Sequence, residues 1–115
     1  MVNKTEAEIA LIEKDLKDKL ELYLSDYSFD VKVKREKDYD LESIYCFQAT
    51  LKYDFYSHPK TYDVLCRWDE HDEFEFELYE DNWETLTNAN MWKWLYITEC
   101  SRRGNPDVNL ERLYK

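Results

Sequence analysis

Residues 61–79 read TYDVLCRWDEHDEFEFELY. Apolar residues alternate with polar ones on both sides of a polar run at 69–72, with Tyr62, Val64, Cys66 and Trp68 before it and Phe74, Phe76 and Leu78 after it. A period of two sends each set to one face of a strand, and four polar residues are enough for a hairpin loop. The stretch therefore predicts two antiparallel strands, 61–68 and 73–79, joined through Asp69, Glu70, His71 and Asp72.

The same period runs upstream. Residues 44–56 place Tyr45, Phe47, Ala49, Leu51, Tyr53 and Phe55 on one face and Cys46, Gln48, Thr50, Lys52 and Asp54 on the other, and the Pro-containing connection 57–60 turns that strand into the next. Residues after Ser28 alternate Phe29, Val31 and Val33 with Asp30, Lys32 and Lys34, a first strand separated from the second by the polar run 36–43. At the N-terminus the period changes to that of a helix, with Ile9, Ile12, Leu16, Leu20, Leu24 and Tyr27 recurring at three- and four-residue steps over roughly 5–27. Thr5 followed by Glu8 forms a capping box at its start, and Glu13 with Lys17 and Asp15 with Lys19 are spaced to pair across one turn. Helical spacing returns after residue 81 with Met91, Trp92, Trp94, Leu95 and Ile97. Its start is ambiguous between a box at Asp81 and Glu84 and a later cap at Thr87 or Asn88, and Arg102, Arg103, Gly104 and Pro106 mark its end. Val108, Leu110 and Leu113 in the tail are spaced for one or two further helical turns. The expectation is an α+β fold of one domain, 1–115: an N-terminal helix, a four-stranded antiparallel β-meander and a C-terminal helix, a two-layer sandwich with both helices on one sheet face.

Composition supports folding over disorder. Charged residues make up 37% of the chain and mean hydropathy is −0.82, but aromatics at 17% supply apolar area and a single Gly leaves little flexible linker. Three cysteines, Cys46, Cys66 and Cys100, have no CxxC spacing and read as reduced, buried thiols of a cytoplasmic protein. No apolar run is long enough for a membrane span. No catalytic residue, metal ligand or cofactor site is expected. The two histidines, His58 and His71, fall in expected hairpin loops without a nucleophile nearby, the acidic loop lacks the spacing of a hard-cation site, and one Gly cannot build a phosphate-binding loop. Lys32, Lys34 and Arg35, the closest basic cluster, read as charges guarding a strand edge.

Charge is where the chain departs from an ordinary small domain. The window 68–84, WDEHDEFEFELYEDNWE, holds nine acids and no Lys or Arg, against a net charge of −10 for the whole chain. Carboxylates can guard an exposed aromatic edge against aggregation, yet nine like charges repel one another beyond what guarding requires. The functional expectation is a non-enzymatic protein that binds a basic protein surface through Asp69, Glu70, Asp72, Glu73, Glu75, Glu77, Glu80, Asp81 and Glu84. Alternate strand residues lie ~6.6–6.8 Å apart, so Glu73, Glu75 and Glu77 would match about every second phosphate of a DNA strand. Trp68 and Trp83 flank the window as possible aromatic anchors. In composition this layout is similar to acidic DNA-mimic inhibitors of phages and mobile elements, such as anti-CRISPR and anti-restriction proteins. The similarity implies inhibition of a nucleic-acid-handling enzyme by occupation of its basic groove, with no direct nucleic-acid or membrane contact. The alternative expectation is an immunity protein or secretion chaperone holding a basic toxin or effector, which would need an apolar patch as well as charge. Whether the chain is a monomer or a homodimer is left open.

Overall fold

The computed structural model describes residues 4–25, 29–41, 44–55, 58–78 and 82–102, with side chains omitted at 54–55, 58–60 and 99–102. Its elements in chain order are helix α1 (Glu6–Tyr23), strand β1 (Phe29–Arg35), a 3-10 turn (Lys37–Tyr39), strands β2 (Tyr45–Phe55), β3 (His58–Trp68), β4 (Phe74–Leu78) and β5 (Asn82–Thr85), and helix α2 (Asn88–Arg102). Thr5 caps α1 as its sequence promised. Its hydroxyl accepts from Glu8 N at 3.2 Å, while the Glu8 carboxylate accepts from Thr5 N at 3.2 Å. Lys19 pairs with Asp15 at 3.0 Å, and Lys17 turns forward to Glu21 at 3.8 Å rather than back to Glu13.

The sheet is fully antiparallel, in the order β1-β2-β3-β4-β5. It has five strands where four were expected. Residues 82–85, read from sequence as loop or helix start, pair with β4 instead, with Glu77 opposite Trp83 and Glu75 opposite Thr85. Four residues are too short a run for alternation to announce a strand, and the pairing is earned from β4. The helix consequently starts late: Thr87 Oγ1 accepts from Asn90 N at 3.1 Å, which makes Thr87 the N-cap. The β2–β3 hairpin is also tighter than expected. His58 lies in β3, opposite Phe55, and Pro59 opposes Asp54, so His58 is not a loop residue. Among the described residues the β3–β4 ladder covers Cys66–Trp68 and stops short of Pro59 at the far end of β3, where a residue without an N–H is tolerated.

One face of the sheet carries the core. Phe47, Ala49 and Leu51 of β2, Val64, Cys66 and Trp68 of β3, and Phe74, Phe76 and Leu78 of β4 are buried against Ile9, Leu16 and Leu20 of α1, Leu24 just beyond it, and Met91, Trp94 and Leu95 of α2. Trp94 seats α2 by meeting Tyr62 and Phe76 edge-on, at ring-centroid distances of 5.7 and 6.1 Å. Lys19 of α1 lies over the Phe74 ring at 4.9 Å. Both helices thus cover the same face, and among the described residues no helix covers the other. The expected tail turns, the Gly104 stop, Tyr27 and the side chain of Cys100 lie outside the described residues.

Candidate functional site

The acidic window divides by structural role. At the β3–β4 hairpin, Asp69 Oδ1 accepts from His71 N at 2.9 Å and Glu73 N at 3.2 Å, holding the loop closed from inside. Asp72 adopts φ 61°, the left-handed conformation Asp tolerates better than most residues, and its carboxylate accepts from Trp68 Nε1 at 2.8 Å. Both carboxylates therefore build the loop as well as charge it. Glu70 and Glu73 are exposed at its tip.

On β4, Glu75 and Glu77 point to the open face and are half-buried. Glu75 pairs with Arg67 of β3 at 3.4 Å, and the Arg67 guanidinium stacks on Trp83 of β5 with its centre 4.1 Å from the ring centroid. This Glu–Arg–Trp set ties three strands together on the face the helices leave open. The carboxylate row expected at Glu73, Glu75 and Glu77 thus has one exposed member and one neutralised by a cation from outside the window. Glu84 opposes Phe76 and sits on the helix-covered face, away from Glu75 and Glu77. Glu80 and Asp81 lie outside the described residues. Of the two flanking tryptophans, Trp68 is buried in the core and Trp83 belongs to the open face.

Arg67 was legible in principle. A hairpin centred on His71 puts Trp68 opposite Phe74 and hence Arg67 opposite Glu75, as the structure does. The groove beside that set gave no such signal. The open face holds a depression of about 550 Å³ whose walls include Tyr39, Asp63, Leu65, Glu77 and Trp83. Tyr39 is 59% exposed and its neighbour Leu41 is 64% exposed, so the turn between β1 and β2 raises two large apolar side chains beside the sheet.

That turn is fixed from below. Arg35 donates to both carboxylate oxygens of Asp40 at 2.6 Å, Asp40 Oδ1 accepts from Cys46 N at 2.9 Å, and the Cys46 thiol donates to Tyr39 O at 3.1 Å. Burial alone would raise the Asp40 carboxyl, but the Arg35 guanidinium and the Cys46 N–H outweigh it and hold the group below its ordinary value. Burial pushes the Cys46 thiol up, and it pushes the Cys66 thiol up to about 12. Both are protonated at neutral pH and behave as core residues rather than nucleophiles. Among the described residues no group of three His, Cys, Asp or Glu is arranged to hold a metal ion, and no helix is long and apolar enough to cross a membrane.

What these features define is a two-layer α+β protein with one face committed to its own core and one face, acidic at the β4 end, left open. No protein-family model, curated protein or solved structure matches the chain, so its function is read from its own residues.

Proposed function

We propose that the chain is a non-enzymatic binding protein whose acidic β3–β4–β5 end docks on a basic protein surface, and that this surface is the nucleic-acid groove of an enzyme which the chain thereby inhibits. The observation that carries the reading is the concentration of charge. Nine of the 26 acids lie in 17 consecutive residues without one Lys or Arg. The tip carboxylates Glu70 and Glu73 stand in solvent, on a loop whose backbone is held by Asp69 and which Asp72 ties to the Trp68 indole. A rigid anionic projection lowers the ordering cost of association and steers a cationic partner toward it. Glu77 and Glu84 add charge on the two faces behind the tip.

A second reading, an immunity protein or secretion chaperone for a basic toxin or effector, draws support from the apolar residues around the open-face groove. A partner held by charge alone would not need Tyr39, Leu65 and Trp83 there.

The test is capture of the partner from the native host with the full chain as bait, followed by titration of the purified pair. The expected partner is a nucleic-acid-handling enzyme displaced from the chain by duplex DNA, with affinity falling steeply between about 50 and 200 mM salt. Glu70→Lys with Glu73→Lys should weaken that complex by at least ~10-fold while leaving thermal unfolding nearly unchanged. A toxin or secreted effector as the captured protein would decide for the second reading, and a complex indifferent to both salt and charge reversal would exclude the first.

A further inference from the structure

The open-face groove has a composition of its own, separate from the acidic tip. Residues in register across the sheet share a face, and two such pairs, Gln48 with Leu65 and Glu77 with Trp83, line the groove together. Asp63 lies one step along β3 on the same face, beside Thr50, whose hydroxyl bonds its carboxylate at 3.1 Å. At the β1–β2 end the groove is walled by Tyr39 and Glu36.

Among the described residues, the charged ones lining this groove are all acids: Glu36, Asp63 and Glu77. Three of the described cations border it on the sheet face, and one of them, Lys32 of β1, stands in register with Thr50, a strand away from Asp63. Arg67 is held between Glu75 and Trp83, and Lys34, 68% exposed, makes only a solvent-facing pair with Glu36 at 3.5 Å. Such a pair contributes little and yields readily to a competing cation. The apolar part of the lining is Leu65 and Trp83 on the strands and Tyr39 on the wall. Three acids around an aliphatic and aromatic floor match a side chain with a long apolar stem and a cationic head, the dual character of Arg and Lys. A volume of about 550 Å³ accommodates a few such side chains rather than a folded element.

We propose that this groove binds an extended cationic segment of a partner protein, in which an Arg or Lys enters among Glu36, Asp63 and Glu77 while an adjacent aliphatic side chain packs on Leu65 and Trp83. The floor is hydrogen-bonded sheet backed by the core, so little ordering is needed on binding. The site shares Glu77 and Trp83 with the acidic window but not the tip carboxylates Glu70 and Glu73, and Asp63, Leu65 and Tyr39 lie outside the window.

The test uses the full chain and a fluorescently labelled synthetic peptide that alternates Arg with Leu, with an Arg–Gly peptide, a Glu–Leu peptide and a single-stranded oligonucleotide as comparisons, all read by fluorescence polarisation at about 0.15 M salt, where the Debye length is ~8 Å. The Arg–Leu peptide should bind saturably, the Arg–Gly peptide at least ~10-fold more weakly, and the other two not measurably, as expected where charge and apolar contact act together. Leu65→Lys should abolish binding, and Leu65→Gln, which adds no charge, should weaken it several-fold with an unchanged unfolding midpoint. Asp63→Lys should weaken it by a similar factor. Glu70→Lys with Glu73→Lys should change peptide affinity by no more than about threefold at this salt, which separates failure of the tip contact from failure of the groove. Equal binding of the Arg–Gly peptide, uptake of the oligonucleotide, or insensitivity to both Leu65 variants would overturn the proposal.

Discussion

Asp40 shows how much of the open face depends on a residue that touches no partner. Its carboxylate joins the Arg35 fork, the backbone of β2 and, through Cys46, the carbonyl of Tyr39. The folded state holds Asp40 below its ordinary value of 3.8, so the folded chain takes up the proton less readily than the unfolded one. The stabilisation is therefore complete above 3.8 and is lost as the pH falls through the lower folded value. Asp40→Asn should cost about 1–3 kcal/mol at neutral pH, as for a partly buried charged hydrogen bond that loses one partner. That deficit against the native chain should shrink in urea titrations carried out below pH 3.8. None of this was visible in the residues themselves. Asp40 lies in the polar run 36–43, and only the register of Arg35 against Phe47 brings the guanidinium within reach. The Thr5–Glu8 box, by contrast, was fully legible, because both partners sit within one turn and no tertiary contact decides it.

At the scale of elements, what could be read from sequence was what periodicity over five or more residues determines: α1, β1, β2, most of β3, and β4. The missed strand β5 and the open start of α2 share a cause. β5 and the start of α2 compete for residues 81–88, where local signals permit either a capping box at Asp81 or a cap at Thr87, and the outcome rests on whether 82–85 pairs with β4. Arg67 stacked on Trp83 and paired to Glu75 gives that pairing a side-chain lock that no local pattern contains. Thr87→Ala should then lower stability by about 1 kcal/mol, the usual effect of removing an N-cap hydroxyl, measurable by chemical denaturation. Truncating Asp81, the competing cap, should have a much smaller effect on α2, since the helix begins at Asn88.

For the whole molecule, the division of labour between the two sheet faces matters most. The helix-covered face was legible because burial selects apolar residues at alternate positions, and the aromatic set Tyr45, Phe47, Tyr53 with its aliphatic neighbours fell where alternation placed it. The open face was legible only as charge. Which carboxylates stand free depends on partners far along the chain, so Glu75 and Asp72 could not be told from Glu70 and Glu73 by residue type. A net charge of −10 with its centre near one end also carries a cost in self-repulsion. Screening should relieve it. Raising the salt from about 0.01 to 0.5 M should increase the thermal midpoint, and Glu70→Gln with Glu73→Gln should flatten that dependence.

The position of α1 has a consequence for synthesis. It is translated before the sheet it packs on: Phe74, over which Lys19 lies, follows more than 50 residues later, and Trp94 of the second helix later still. Until β3 and β4 emerge, the stripe Ile9, Leu16, Leu20 and Leu24 has only the first hairpin to rest on. The nascent chain therefore carries a partly uncovered amphipathic helix until the sheet is complete, and the many acids and lysines on the other side of that helix keep it dispersed while it waits.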